Sequence, residues 1–178
     1  MNAFEQIVSD VFQSDGYWTK PNYKLVLNPQ EKRRIKRKSI PTIDIDIVAY
    51  KPGSILLIEC KSYLGSSGVH YKDLFKNGNW ASHYKIFTRK TYREVILKAL
   101  KKKLIERKMA TRKDVLQLCL VAGNVAGGEE NEAKINAEFK KRKWLFIGPA
   151  KLREKLLGKR EEKIWEDNPV TVTVKLLN

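Results

Sequence analysis

Four charged side chains lie in two segments whose apolar pattern otherwise predicts buried β-strands. Asp44 and Asp46 belong to the first segment, and Glu59 and Lys61 belong to the second. Residues two apart in a strand point to the same face, about 6.6 Å from each other. Charges in a sheet that is covered on both faces are costly unless they are paired or bind a metal. The pattern therefore predicts that a divalent cation gathers these side chains.

The residue types indicate the chemistry that such a group could perform. Carboxylates from adjacent strands can share a cation, and Mg²⁺ is the oxygen-preferring ion expected there, with Mn²⁺ as a substitute. The metal would polarise a phosphate and generate hydroxide, and the lysine would hold or deprotonate the attacking water. These parts predict phosphodiester hydrolysis. The alternative is an exposed edge hairpin in which the same side chains form ordinary cross-strand ion pairs.

Two strands, over residues 42–50 and 54–63, must present these side chains. The turn signal Lys51-Pro52-Gly53 between them predicts an antiparallel hairpin. Residues 55–58 are apolar at every position, which is typical of a strand covered on both faces.

The remaining elements follow from hydrophobic period and end signals. The predicted helices are 3–14, a helix from a capping box at Thr91 to about Met109, 129–142 and 150–157, and the further strands are 17–27 (interrupted at Pro21), 115–122 and 143–147. Residues 64–90 show no clear period. The tail 168–177 favours a strand, although Asn168-Pro169 resembles a helix start. This order predicts an α/β fold with a mixed β-sheet flanked by helices on both faces.

We expect one domain over residues 1–178, with a core at about 3–158 and a C-terminal extension at 159–178. No apolar run is long enough to span a bilayer, and the first residues lack the features of a signal peptide. Cys60 and Cys119 lie in predicted buried strands, where we expect reduced thiols. These features predict a cytoplasmic protein that has no membrane partner.

The chain carries a large positive charge, since 36 lysines and arginines against 20 acidic residues give a formal net charge of +16. Such an excess favours a polyanionic partner. One basic block follows the strand at residues 17–27, and we expect it to form an irregular loop that grips a nucleic-acid backbone. Its basic residues are Lys32, Arg33, Arg34, Lys36, Arg37 and Lys38. A basic RNA-binding protein remains an alternative.

The stretch Asp44-Ile45-Asp46-Ile47-Val48-Ala49, a turn, and Ile58-Glu59-Cys60-Lys61-Ser62 together resemble the PD-(D/E)xK nuclease superfamily. These are the restriction-endonuclease-like enzymes, which include Mrr-type nucleases and archaeal Holliday-junction resolvases. The resemblance is good over residues 3–63 and follows element order to about residue 158. It implies a restriction-endonuclease-like core.

The resemblance also implies roles for individual residues. Asp46 and Glu59 would bind Mg²⁺, the Cys60 carbonyl would complete its shell, and Lys61 would be the motif lysine. Glu5 resembles the glutamate of the first helix and would reach the metal directly or through water. Asp44 resembles an acidic residue that some members carry two places before the motif aspartate.

Two departures from the family pattern bear on these roles. Pro41 does not immediately precede Asp46, and Asp44 competes with Asp46 for the motif position. We favour Asp46 because it leaves the shorter hairpin to Glu59.

The implied function is a metal-dependent deoxyribonuclease that acts on duplex or branched DNA in restriction, phage or repair biology. The sequence leaves open whether two chains pair as a homodimer to cut both DNA strands. The alternative within the same fold is a nucleic-acid-binding module without catalysis.

Overall fold

The computed structural model describes residues 2–36, 42–160 and 169–176. The strands are β1 (Trp18–Val26), β2 (Thr42–Lys51), β3 (Ser54–Lys61), β4 (Val115–Ala122) and β5 (Leu145–Ile147). The helices are α1 (Ala3–Ser14), α2 (Pro29–Arg34), α3 (Tyr71–Phe75), α4 (Lys85–Thr88), α5 (Lys90–Glu106), α6 (Gly128–Lys141), α7 (Pro149–Arg160) and α8 (Pro169–Leu176). A 3₁₀ turn at Ala81–Tyr84 precedes α4.

The strands form one mixed sheet in the order β1-β2-β3-β4-β5. β1, β2 and β3 are antiparallel neighbours, whereas β4 and β5 run parallel to β3. Helices α3 to α5 connect β3 to β4, and α6 connects β4 to β5, because parallel strands need a long crossover. The predicted hairpin and the α/β class are confirmed.

Helices cover both faces of the sheet. On one face Phe12 of α1 and Leu152 of α7 pack with inward side chains of the central strands. We call this set of buried residues the α1-side cluster. On the other face Leu100 of α5 and Phe139 of α6 pack in the α5-side cluster. Burial on both faces explains why β3 is apolar at every position from Ile55 to Ile58.

The alternation of side chains along β2 reverses at Asp46. Ile45 packs in the α5-side cluster, but Ile47, two residues later, packs in the α1-side cluster. On β1 the opposing residue is Asn22, whose φ of 49° is left-handed, a conformation that asparagine adopts more readily than most residues. The expectation that Asp44 and Asp46 follow one unbroken alternation is therefore wrong.

The basic block differs from its prediction, since residues 29–34 form the short helix α2 rather than an irregular loop. Asn28 accepts a hydrogen bond from the Glu31 N–H (2.9 Å), and the Glu31 carboxylate accepts one from the Asn28 N–H (2.8 Å). Pro29 occupies the first turn. This capping box was readable in Asn28-Pro29-Gln30-Glu31 and was missed.

Two predictions of secondary structure are wrong, namely the start of α5 and the type of the C-terminal element. Thr91 does not cap α5, because the helix begins at Lys90. Arg89, the one residue between α4 and α5, is at the N-cap and makes no side-chain capping bond. The tail forms helix α8 rather than a strand. Contact of α8 with α1 and α7, and burial of Val170, outweigh the β-propensity of its valines and threonines.

Other predictions are confirmed within a few residues, including α1, β4, α6, β5 and α7. β1 runs through Pro21 without interruption, which its place at the edge of the sheet allows. The unreadable segment 64–90 contains α3, the 3₁₀ turn and α4. Within the described ranges, no helix combines the length and apolar character that crossing a membrane requires.

Candidate active site

The β2–β3 hairpin opens at the end that carries the predicted site. Its backbone pairing runs from Lys51↔Ser54 to Ile47↔Ile58. Beyond that pair, Oδ2 of Asp46 accepts a hydrogen bond from the Cys60 N–H at 2.7 Å. The Asp46 carboxylate thus takes the place of a β2 backbone carbonyl as the acceptor for the Cys60 N–H. On its other side, β3 remains paired with β4 as far as Lys61, the last residue of β3. This arrangement holds the Asp46 side chain against the β3 backbone.

Glu59 and Lys61 form a half-buried ion pair beside Asp46. Lys61 Nζ lies 2.7 Å from Glu59 Oε1, and the two side chains are 19% and 22% exposed. The predicted shared face is therefore confirmed for this pair. The ring centre of buried Tyr84 lies 5.8 Å from the ammonium, which places an aromatic wall beside the lysine.

Burial and the nearby Glu59 carboxylate raise the pKa of Asp46 to about 6, against the opposing effects of the Cys60 N–H and Lys61. Burial alone would lower the pKa of Lys61, but the carboxylates of Glu59 and Asp46 together raise it above its usual value. Lys61 is therefore a cation at neutral pH in the metal-free site, and it partly neutralises two carboxylates that repel each other.

Glu5 lies at the start of α1, where its carboxylate accepts hydrogen bonds from the backbone and side chain of Asn2 at 3.1 and 2.8 Å. Its charge also contributes, as the weakest of the named causes, to the raised pKa of Asp46. The structure thus places Glu5 near the site but engaged as a helix cap. Its predicted contact with a metal stays a prediction.

Asp44 lines a cavity of about 230 Å³ together with Glu59, but its carboxylate is engaged elsewhere. Its carboxylate pairs with Lys24 of β1 at 2.6 Å, and the side chains of Lys24 and Asp44 are 62% and 69% exposed. Of the two aspartates that compete for the motif position, only Asp46 has a half-buried carboxylate held against β3. We therefore do not place Asp44 among the candidate metal ligands, and its catalytic role stays a prediction.

The donor set suits a hydrated magnesium ion. Across residues 2–36, 42–160 and 169–176, no three His, Cys, Asp or Glu side chains are grouped to hold a metal. Asp46 and Glu59 provide two carboxylates, and the Cys60 carbonyl is a third oxygen on the same strand. Mg²⁺ usually keeps several waters and binds one or two carboxylates together with substrate phosphates. Two carboxylates and a carbonyl fit that habit, whereas a fully protein-bound ion would need more ligands.

Glu59 also lines a cavity of about 230 Å³ between the sheet, the 3₁₀ turn and α5. His83 and Lys85 lie on its wall. The sequence analysis assigned no role to His83 and missed this position. The only available signal was the concentration of aromatic and basic residues in the unreadable segment 64–90.

The structure describes part of the basic block that is predicted to bind nucleic acid. Lys32, Arg33 and Arg34 lie on α2, and Lys36 follows it with a φ of 54°. Arg37 and Lys38 lie outside the described residues. α2 follows the end of β1 that pairs with the beginning of β2, and it contacts α5, so this block lies beyond the open end of the hairpin.

Comparison with known proteins identifies the family. No curated protein matches the chain. A solved structure, "Crystal Structure of Protein of Unknown Function AF1548", is similar at 16% identity and a TM-score of 0.49, covering 93% of this chain and 73% of that one. A likeness at this level supports no functional argument.

The model of the nuclease-related domain (NERD) family matches residues 2–122, which extend from α1 to the end of β4 and include every residue of the candidate site. The match spans more than half of the chain. The chain therefore belongs to the nuclease-related domain family, within the restriction-endonuclease-like PD-(D/E)xK superfamily.

Proposed function

We propose that the chain is a metal-dependent deoxyribonuclease that hydrolyses phosphodiester bonds, with Asp46, Glu59 and Lys61 at its centre. The observation that carries the proposal is the open end of the hairpin, where two carboxylates repel each other in a half-buried site. Such an arrangement costs stability, and a bound cation would relieve the cost. Family membership supports a nuclease-related function, and the geometry supports this finer assignment.

Asp46 and Glu59 would hold Mg²⁺, or Mn²⁺ in its place, with the Cys60 carbonyl as a further oxygen ligand. When bound, the ion would supply Lewis-acid polarisation of the scissile phosphate and activation of water. The Cys60 N–H keeps the Asp46 carboxylate oriented. Lys61, protonated in the metal-free site, would leave its partner Glu59 and place its positive charge beside the phosphate oxygens.

The charge distribution supports DNA, duplex or branched, as the partner. The net charge of +16 and the basic residues on α2 favour a phosphate backbone. Cys60 and Cys119 are free thiols, which fits the reducing cytoplasm. Action in restriction, phage or repair biology, and pairing of two chains to cut both strands, are part of the same proposal.

Substitution of the two carboxylates tests the proposal. We expect Asp46→Ala and Glu59→Ala to reduce Mg²⁺-dependent cleavage of plasmid and branched DNA by about a thousandfold or more. Glu106→Gln is the control, because it removes an exposed carboxylate at the end of α5 that pairs with Lys103 at 3.0 Å and lines no part of the Glu59 cavity, and it should cleave within about threefold of the wild type. Undiminished cleavage by both alanine variants would refute the assignment.

A second candidate is binding of nucleic acid without cleavage. It is favoured by the Lys61–Glu59 ion pair, which occupies a carboxylate that the metal needs, and by the missing three-residue ligand group among the described residues. This candidate predicts salt-dependent binding of DNA and no cleavage in either Mg²⁺ or Mn²⁺. A parallel binding series with RNA of equal length distinguishes a DNA partner from an RNA partner.

A further inference from the structure

An exposed tryptophan lies beside the proposed cleavage centre. Trp80 is 60% exposed and lines a cavity of about 280 Å³ together with Tyr63, His83 and Tyr84. Tyr84 joins the two regions, because its ring lies 5.8 Å from Lys61 Nζ and it lines the Trp80 cavity together with Tyr63. An aromatic cavity thus begins where the charged site ends.

His83 is the boundary between two neighbouring cavities. It lines the cavity of Trp80 and Tyr63, and it also lines the cavity of about 230 Å³ to which Glu59 contributes. Its ring stands 5.2 Å from the Trp80 ring, with an interplanar angle of 55°. A ligand that leaves the Glu59 cavity in this direction therefore meets His83 and then Trp80.

The backbone around Trp80 is held firmly, although its side chain faces solvent. The buried carboxylate of Asp73 accepts a hydrogen bond from the Trp80 N–H at 3.1 Å, and the Trp80 carbonyl accepts one from the His83 N–H at 2.9 Å. This close approach of the Asp73 carboxylate to the turn requires glycine at position 78, because a Cβ on Gly78 would lie 2.1 Å from Asp73 Oδ1. The indole is thus presented on an anchored turn, which lowers the entropy cost of binding a ring against it.

The segment that carries this turn is basic in sequence, although the buried Asp73 also lines the Trp80 cavity. Between Asp73 and Glu94 the sequence contains basic residues and no acidic one. The basic residues are Lys76, Lys85, Arg89, Lys90 and Arg93. An exposed aromatic ring in a positively charged surface is the combination that binds single-stranded nucleic acid, because the ring stacks on a base while the cations follow the backbone. The small cavity favours one ring system over a base pair.

We propose that Trp80 stacks on one unpaired nucleobase of DNA and that His83 positions the Trp80 ring at the edge of the Glu59 cavity. The substrates of the proposed nuclease would then be DNA with unpaired nucleotides, such as single strands, flaps or frayed ends, rather than continuous duplex. This inference rests on the proposed function for its connection to cleavage, but the base subsite itself is independent of catalysis.

Binding measured without metal tests the subsite separately from cleavage. The full chain in EDTA would be titrated against a fluorescent DNA single strand of about 16 nucleotides and against a duplex of equal length, with anisotropy as the readout. We expect Trp80→Ala to weaken single-strand binding by about tenfold and duplex binding by less than about twofold. Trp80→Phe, which keeps a stacking ring, should recover most of the single-strand affinity.

Trp18→Ala is the matched control. Trp18 is 83% exposed and lies on β1 opposite Tyr50, towards the turn end of the hairpin, so its loss should leave both affinities unchanged. Equal behaviour of Trp80→Ala and Trp18→Ala, or an equal loss for single strand and duplex, would overturn the subsite. If Asp46→Ala abolishes cleavage and Trp80→Ala leaves binding intact, the subsite alone fails. If Trp80→Ala weakens single-strand binding but no cleavage occurs, the nuclease proposal alone fails.

Discussion

Each end of the β2–β3 hairpin has an aspartate beside it, and the fold treats the two carboxylates in opposite ways. At the turn end, Asp114 accepts hydrogen bonds from the backbone N–H groups of Thr111 at 2.6 Å and Gly53 at 3.0 Å. These bonds, chiefly the one from Thr111, lower the pKa of Asp114. At the open end, Asp46 accepts one bond from the Cys60 N–H, yet burial and Glu59 raise its pKa to about 6.

The difference separates a carboxylate whose charge the backbone compensates from one whose charge is compensated incompletely. Backbone donors satisfy Asp114, so its negative charge is compensated within the chain. Asp46 faces a second carboxylate, and the single ammonium of Lys61 compensates them incompletely. Under-compensated charge in a half-buried place is typical of functional sites, where stability is given up for binding or catalysis.

In the comparison of the two hairpin ends, the largest expected effect is on the cleavage rate when the lysine at each end is replaced. Lys61 belongs to the candidate site, whereas Lys51 lies at the turn end with its ammonium 4.2 Å from the centre of the Tyr17 ring. We expect Lys61→Met to reduce single-turnover cleavage in Mg²⁺ by about 100- to 1000-fold, because the positive charge beside the phosphate is lost. Lys51→Met should cleave within about threefold of the wild type. Similar losses in both variants would remove the distinction between the two ends.

The next effect is an opposite change in stability at the two aspartates. Asp46→Asn should raise the free energy of unfolding in EDTA at about pH 8 by about 1 to 3 kcal/mol, because it removes a carboxylate whose ionised form is disfavoured by burial and repulsion. Asp114→Asn should lower it, because an amide cannot accept both backbone bonds without bringing its own N–H towards a donor. Thermal or urea unfolding measures both changes.

The pH dependence of the Asp46 change has a definite sign. A carboxyl whose pKa is raised on folding costs no stability where it is protonated in both states, and the cost grows between its ordinary pKa of 3.8 and about 6. The advantage of Asp46→Asn over the wild type should therefore vanish at about pH 3.5 and reach its full size above about pH 6. An advantage of the same size at both ends of this range would show that charge is not its cause.

The smallest expected effect is stabilisation by the metal itself. At a Mg²⁺ concentration ten times the dissociation constant, a ligand bound only by the native state adds about 1.4 kcal/mol to the free energy of unfolding. We expect this increase in the wild type and in Asp114→Asn, measured as a rise in Tm with added Mg²⁺. Asp46→Asn should show little or none. A rise of equal size in all three proteins would indicate binding away from the open end.

Much of the fold could be predicted because its signals are local. The turn at Lys51-Pro52-Gly53 and the apolar run before Glu59 depend on neighbouring residues, and both predictions are confirmed. Local signals failed where packing decided. Val170 is buried in a helix despite its β-branched side chain, and Thr91 lies within the first turn of α5, which begins at Lys90 after the extended residue Arg89.

The sequence by itself determined that an acidic residue and a Glu-x-Lys pair sit on paired strands, since the hydrophobic pattern specifies which segments are buried and the two-residue period puts Glu59 and Lys61 on one face. Only the tertiary structure shows that Asp46, and not Asp44, is held against β3. The reversal of alternation at Asp46 lies opposite the left-handed Asn22 in the partner strand, and the hydrogen bond that holds Asp46 comes from Cys60 across the opened hairpin. The position of Trp80 in one cavity with Tyr84 has the same origin. Contacts between residues distant in the chain arise from how the elements pack, which a local pattern does not encode.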